Sequence, residues 1–213
     1  MKRFFTKKDD INSNTKIALS ALLIGFFIVN NRWFRLSFIP LMPFDISFAI
    51  VAVIVAAFVM GPVWAALVGG LGDLIAATIW PMGGAFNPAF TLSWVLTGVV
   101  FGIFLYRGRN KTDRRLVINM TISMLVVYIA IKLLLVSLWI WLFFSGGRSY
   151  WVILGVFRAW QHAVFMVVLF ITCFPLLKFL RNPIERFIVI DNDNTDDESE
   201  LLVQGAQEES RPD

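Results

Sequence analysis

The sequence predicts an all-α protein, an integral membrane bundle of six transmembrane helices with both termini cytoplasmic. Three observations carry that expectation: an apolar composition, its concentration in long runs, and a lopsided placement of lysine and arginine. Hydrophobic residues make up 58% of the 213 and charged residues 16%, whereas charge in a soluble domain runs near a quarter. The apolar runs exceed what one buried core absorbs. They match the roughly 20 helical residues that cross a hydrocarbon core of about 30 Å.

The first span is expected over Lys16–Arg35. A shorter second one, Ile46–Met60, is closed by the helix-breaking pair Gly61-Pro62. The third runs Pro62–Trp80, because proline is tolerated in a first helical turn. Pro81-Met-Gly-Gly-Ala-Phe-Asn-Pro88 reads as a loop. The fourth span covers Phe90–Tyr106, the fifth Leu116–Phe144 and the sixth Tyr150–Leu180. The last two exceed the bilayer thickness and are expected to tilt or project beyond it.

Orientation follows from the cations. With six spans, one side collects Lys2, Arg3, Lys7, Lys8 and Lys16, the loop cations Arg107, Arg109, Lys111, Arg114 and Arg115, then Lys178, Arg181 and Arg186. The other side has only Arg32, Arg35 and Arg148. The first side, with both termini, is therefore expected to be cytoplasmic. Residues 1–15 form a cytoplasmic N-terminal segment. Asp9 and Asp10 interrupt its basic start and no Ala-x-Ala pattern follows, so it does not read as a cleaved signal peptide. Residues 16–181 form the transmembrane domain and residues 182–213 a tail. Within that tail, residues 191–213 hold nine acids and one base, against six acids and eighteen bases in residues 1–190. Such a stretch is expected to be solvated and disordered, and an acidic docking peptide is the alternative.

Ionisable groups inside spans are costly and usually face a cavity or a partner. Asp73 lies about 17 Å above the start of the third helix, near the midplane. Lys132 lies about 24 Å up the fifth and Arg158 about 31 Å up the sixth, while Arg35 ends the first. The cations thus gather toward the outer leaflet. Snorkelling to headgroups accounts equally well for Lys132. Arg158 makes the stronger case for a lined cavity, because Gln161 and His162 share its face. Lys132, Val136 and Trp139 also share a face. Trp139 is either a stacking platform or an interface-belt anchor.

Small residues cluster on two helices. Ala65, Ala66, Gly69, Gly70, Gly72 and Ala76 are expected to pack the third helix internally. Ala18, Ala21 and Gly25 give the first helix a small-residue face, available to another subunit. Catalytic constellations are scarce. Cys173 and His162 are the single residues of their kinds, which leaves no disulfide framework and no multi-imidazole metal site. No nucleophile elbow and no Gly-x-x-x-x-Gly-Lys-Ser/Thr phosphate loop is present. No enzyme activity and no cofactor is expected.

Arg35-Leu-Ser-Phe-Ile-Pro40, Gly61-Pro-Val-Trp-Ala-Ala66, Gly69-Gly-Leu-Gly-Asp73, Pro81-Met-Gly-Gly-Ala-Phe-Asn-Pro-Ala-Phe-Thr-Leu-Ser93 and Gly98-Val-Val-Phe-Gly-Ile-Phe-Leu-Tyr106 follow in that order. The order resembles the substrate-binding S components of energy-coupling factor transporters, and among them the folate group. The resemblance covers about residues 15 to 180. It implies a high-affinity vitamin-binding subunit that works with a transmembrane T component and two cytoplasmic ATPases in the cell membrane of a bacterium. It also implies gating loops near Leu36–Asp45 and Pro81–Pro88, and a T-component interface at Ala18, Ala21 and Gly25.

Two departures bear on the ligand. Folate-type relatives carry Leu-Asn-Thr-Leu-Trp-Leu where this chain has Leu135-Val-Ser-Leu-Trp-Ile140, and Arg-x-x-Lys-Asn where it has Arg158-Ala-Trp-Gln-His162. Lys132 can restore the missing charge. For a folate, Phe86, Trp139 and Trp160 are candidate stacking faces. Arg35 and Arg158 are candidates for the carboxylates. Asp73 and Gln161 are candidates for the pterin edge, and Phe86 with Asn87 for a lid. An S component for another vitamin or heteroaromatic precursor is the main alternative, and a membrane scaffold without a small ligand the lesser one.

Overall fold

The computed structural model describes residues 11–32, 36–37, 45–79, 86–106, 113–144 and 165–181. Their helices are α1 (Ser13–Arg32), α2 (Ala49–Met60), α3 (Pro62–Ile79), α4 (Pro88–Tyr106), α5 (Asp113–Val126) and α6 (Val136–Phe144), with α7 over residues 165–181. A π-helical stretch, Val127–Leu135, joins α5 to α6 in one continuous rod. The all-α expectation holds. The one extended feature is a two-residue antiparallel pairing in which Leu36 faces Ile46 and Ser37 faces Asp45.

Four of these helical rods are long and apolar enough to cross a bilayer: Ser13–Arg32, Pro62–Ile79, Pro88–Tyr106 and Asp113–Phe143. The second expected span is shorter than the sequence suggests. Ile46 belongs to the extended pair, and α2 begins only at Ala49. Its 12 residues rise about 18 Å, well short of the hydrocarbon thickness. All of them but Val55 are buried. A helix apolar on every side finds its place inside a bundle, and α2 is that centre.

Around α2 the other helices pack through small residues. A Cβ on Gly69 would lie 2.8 Å from the Trp94 carbonyl oxygen, and one on Gly70 would lie 2.6 Å from Val95 Cγ2. From the other side, Gly98 and Gly102 of α4 rest against the backbone of Ala65 and Pro62. Gly98-x-x-x-Gly102 is a small-xxx-small pair facing a small-residue stripe, which lets two backbones touch where lipid gives no hydrophobic drive to association. The internal packing expected of Gly69, Gly70, Gly72 and Ala76 is what the helix shows, and all four are buried.

α1 buries Lys16, Ser20, Leu23, Phe27 and Asn31, a stripe at spacings of four, three, four and four. Phe27 fills the space above Gly72, where a Cβ would approach its ring to 2.7 Å. The Ser20 hydroxyl contacts Met60 Sδ at 3.6 Å. The opposite face, with Ala18, Ala21 and Gly25, is exposed.

Contacts at its two ends orient the bundle. At one end Gly61 takes φ +93° between α2 and α3, with the Tyr106 ring 3.5 Å from where a Cβ would sit. At that end too, Lys178 and Arg181 of α7 each bind Asp113 at 3.0 Å. At the other end Phe48 meets Phe165 edge-on, with centroids 6.1 Å apart. Ser47 there donates to the Asn30 carbonyl at 3.3 Å.

Gly98→Ala is expected to lower the thermal midpoint in detergent by an amount equivalent to about 1–3 kcal/mol, the usual cost of overpacking. Gly25→Ala meets nothing within 4 Å and is expected to leave the midpoint level or higher, since alanine is the better helix former.

Candidate functional site

The polar groups of the apolar helices converge on the end away from Gly61. α4 presents Thr91, Ser93 and Trp94 in its first turns, and each meets a residue from a different element. Asp73 of α3 is buried at 8% exposure, and its Oδ2 accepts a hydrogen bond from Thr91 Oγ1 at 2.8 Å. The Trp139 indole N–H donates to Ser93 Oγ at 3.1 Å. That hydroxyl in turn donates to the Ala89 carbonyl at 3.0 Å. The Lys132 ammonium sits 3.7 Å from the Trp94 ring centroid, within the range of a cation–π interaction. On its own side Phe27 meets Trp94 edge-on at 4.9 Å.

The π-helical stretch sets how these side chains arrive. The Val136 N–H bonds back five residues to the Ile131 carbonyl. A wider turn advances each residue by a smaller angle than an α-turn. Lys132 and Trp139, seven apart in sequence, therefore reach neighbouring residues of α4, Trp94 and Ser93, in place of one shared partner. Val136, between them, is buried. So is Ser137, whose hydroxyl makes no hydrogen bond with any described residue.

Asn87 has a specific local job. Its Oδ1 accepts the Ala89 N–H at 3.0 Å, capping α4 just before Pro88. This is why α4 starts at Pro88, two residues before the expected Phe90. Phe86 precedes the cap and is 46% exposed, a position open to contact at the mouth of this end.

The structure thus brings Asp73, Lys132 and Trp139 onto the first turns of α4, each against its own residue, Thr91, Trp94 and Ser93, with Phe86 and Asn87 just before that helix. Arg35, Arg158, Trp160 and Gln161 lie outside the described residues, as does most of the Pro81–Pro88 loop. Thr91, Ser93 and Trp94 were missed by reading spans. Their signal was present: Ser93 and Thr97 stand four apart in an otherwise apolar helix, and both are buried. What the arrangement offers a ligand is an acceptor at Asp73, a cation at Lys132 and indole surfaces at Trp94 and Trp139. A flat molecule with hydrogen-bond donors on one edge and negative charge elsewhere has matching chemistry.

Ser93→Ala would remove the acceptor of the Trp139 indole. It is expected to cost about 1–3 kcal/mol, the penalty of a buried donor left unpaired. Thermal unfolding followed by tryptophan fluorescence reads it directly.

Comparison with known proteins places these features in context. Residues 15–177 match the family model described as "ECF transporter, substrate-specific component". Over 81 residues the chain is 33% identical to a folate transporter FolT of Clostridium novyi (strain NT), covering 38% of this chain and 46% of that one. The match therefore spans about half the length of that relative. A solved structure described as FolT bound with folic acid superposes with a TM-score of 0.61 at 26% identity, over 76% of this chain and 92% of the other. The S component of a bacterial ECF transporter superposes with a TM-score of 0.60 at 20% identity, over 80% and 98%. That last likeness speaks to the fold alone.

Proposed function

The chain belongs to the substrate-specific components of energy-coupling factor (ECF) transporters, membrane subunits that bind substrate and are not enzymes, and from that premise we propose that it captures a folate-type vitamin for import. The observation that carries the proposal is that the first turns of α4 hold an acid, a cation and an indole together: Asp73 on Thr91, Lys132 on Trp94 and Trp139 on Ser93. In this reading Asp73 accepts from the amino edge of a pterin, and indole faces hold its ring. Lys132, with Arg35 and Arg158, takes the carboxylates. Trp160 and Gln161 complete the pocket wall, and Phe86 and Asn87 belong to the lid. The similarity to a folate transporter and to a folic-acid complex supports this ligand over other vitamins. Val136 and Gln161-His162, where the folate pattern has asparagine and lysine-asparagine, favour keeping another vitamin or heteroaromatic precursor as the second reading.

The proposed setting is a multi-pass protein of a bacterial cell membrane, with six spans, both termini cytoplasmic and the α4 cluster toward the outside. The cation distribution supports that orientation. The partners are a T component and two ATP-binding subunits, which supply the hydrolysis. Ala18, Ala21 and Gly25 lie on the exposed face of α1, and that face is the proposed T-component contact.

The test is titration of the full chain in nanodiscs with folate and 5-formyltetrahydrofolate, read by tryptophan fluorescence and calorimetry. Saturable nanomolar binding is expected, weakened about tenfold or more in Asp73→Asn and in Lys132→Met. That loss corresponds to a charged hydrogen bond of roughly 1.5–3 kcal/mol. A folded sample that binds neither compound removes folate and sends the search to other vitamins. Separately, Ala18→Leu with Ala21→Leu is expected to abolish co-purification with the T component and leave ligand affinity unchanged.

A further inference from the structure

The end of the bundle opposite the ligand cluster carries a charge arrangement that helix electrostatics alone disfavours. Asp113 opens α5, and exposed Arg114 and Arg115 follow it in the first turn. Cations at that position oppose the positive end of the helix dipole. Neither arginine forms an ion pair with any described residue. Beside them stand Lys178 and Arg181 of α7, both turned onto Asp113 at 3.0 Å, with Lys178 still 59% exposed. Asp113 thus engages two of the cations at this end, while Arg114, Arg115 and Lys178 keep exposed charge. Such a site is complementary to an anion larger and more highly charged than Asp113.

The chain supplies one. The described residues end at Arg181, inside the patch, and residues 182–213 follow. From Asp191 onward that segment holds nine acids and one base. Nine residues lie between Arg181 and Asp191, a tether with a typical end-to-end distance of about 18 Å. Tethering over so short a span gives an effective concentration on the order of millimolar.

We propose that the acidic segment 191–213 docks on the basic patch formed by the exposed Arg114, Arg115 and Lys178, occupying it in place of anionic lipid headgroups. The proposal is independent of the ligand, since segment and patch are joined through α7 whatever the site binds. The contact is electrostatic and partly exposed, so it weakens with salt. It makes the tail a self-binding cover for a basic surface that the membrane would otherwise hold.

The experiment uses the full chain in nanodiscs containing about one third phosphatidylglycerol, treated with a water-soluble carbodiimide that joins carboxylates to lysine amines. Mass spectrometry is expected to find Lys178 linked to carboxylates of the 191–200 stretch at low salt. The yield is expected to fall several-fold at high salt and in the double variant Arg114→Glu, Arg115→Glu. If Lys178 links only to Asp113, the proposal is wrong. A tail linkage that ignores both salt and the charge reversal reduces the contact to tethering and equally overturns it. A linkage seen in pure phosphatidylcholine and lost with phosphatidylglycerol assigns the patch to lipid instead.

Discussion

Backbone contact between α3 and α4 is the constraint on which the rest of the molecule depends. In a bilayer, burying an apolar side chain against protein gains little over leaving it in lipid, so close packing has to supply the association. Glycine and alanine on both faces bring the two axes together, with Gly98 and Gly102 on one side and Ala65 and Gly69 on the other. Once α4 is fixed there, its first turns stand beside Asp73. The hydrogen bond from Thr91 follows from that placement.

The same contact explains how so many polar groups are tolerated in an apolar bundle. Ser93 and Thr97 return hydrogen bonds to carbonyls four residues back in their own helix. Ser93 keeps acceptor capacity, which the Trp139 indole uses. Lys132 lies over an indole face, an environment far kinder to a cation than hydrocarbon. Side chains held this way are already positioned, which lowers the ordering cost of any further contact they make.

The two ends of the bundle divide the work. One gathers acceptors, indoles and a lysine around α4. The other is tied by Asp113 to Lys178 and Arg181, with the Gly61 turn and the Tyr106 ring beside it. α2, buried on almost every side, lies between them and carries no ionisable group.

Hydropathy alone located the helices from α1 to α6 to within a few residues, because the cost of unpaired backbone in hydrocarbon leaves few alternatives to helices of bilayer length. Where the ends differ, a local interaction decided. Asn87 caps α4 and moves its start to Pro88, and Ile46 pairs with Leu36 before α2 can begin. Asp73, Lys132 and Trp139 were legible because a polar or amphipathic group in a span stands out against its cost. Thr91, Ser93 and Trp94 were not, because serine, threonine and tryptophan are ordinary in membrane helices and acquire meaning only from what faces them. The sequence by itself determined the all-helical class, the long apolar runs and which side chains had to find partners, since those follow from transfer energies of single residues. Which partners they found was decided by the tertiary structure, through the α3–α4 approach and the π-turn, because pairing depends on the rotation and spacing of helices far apart in the chain.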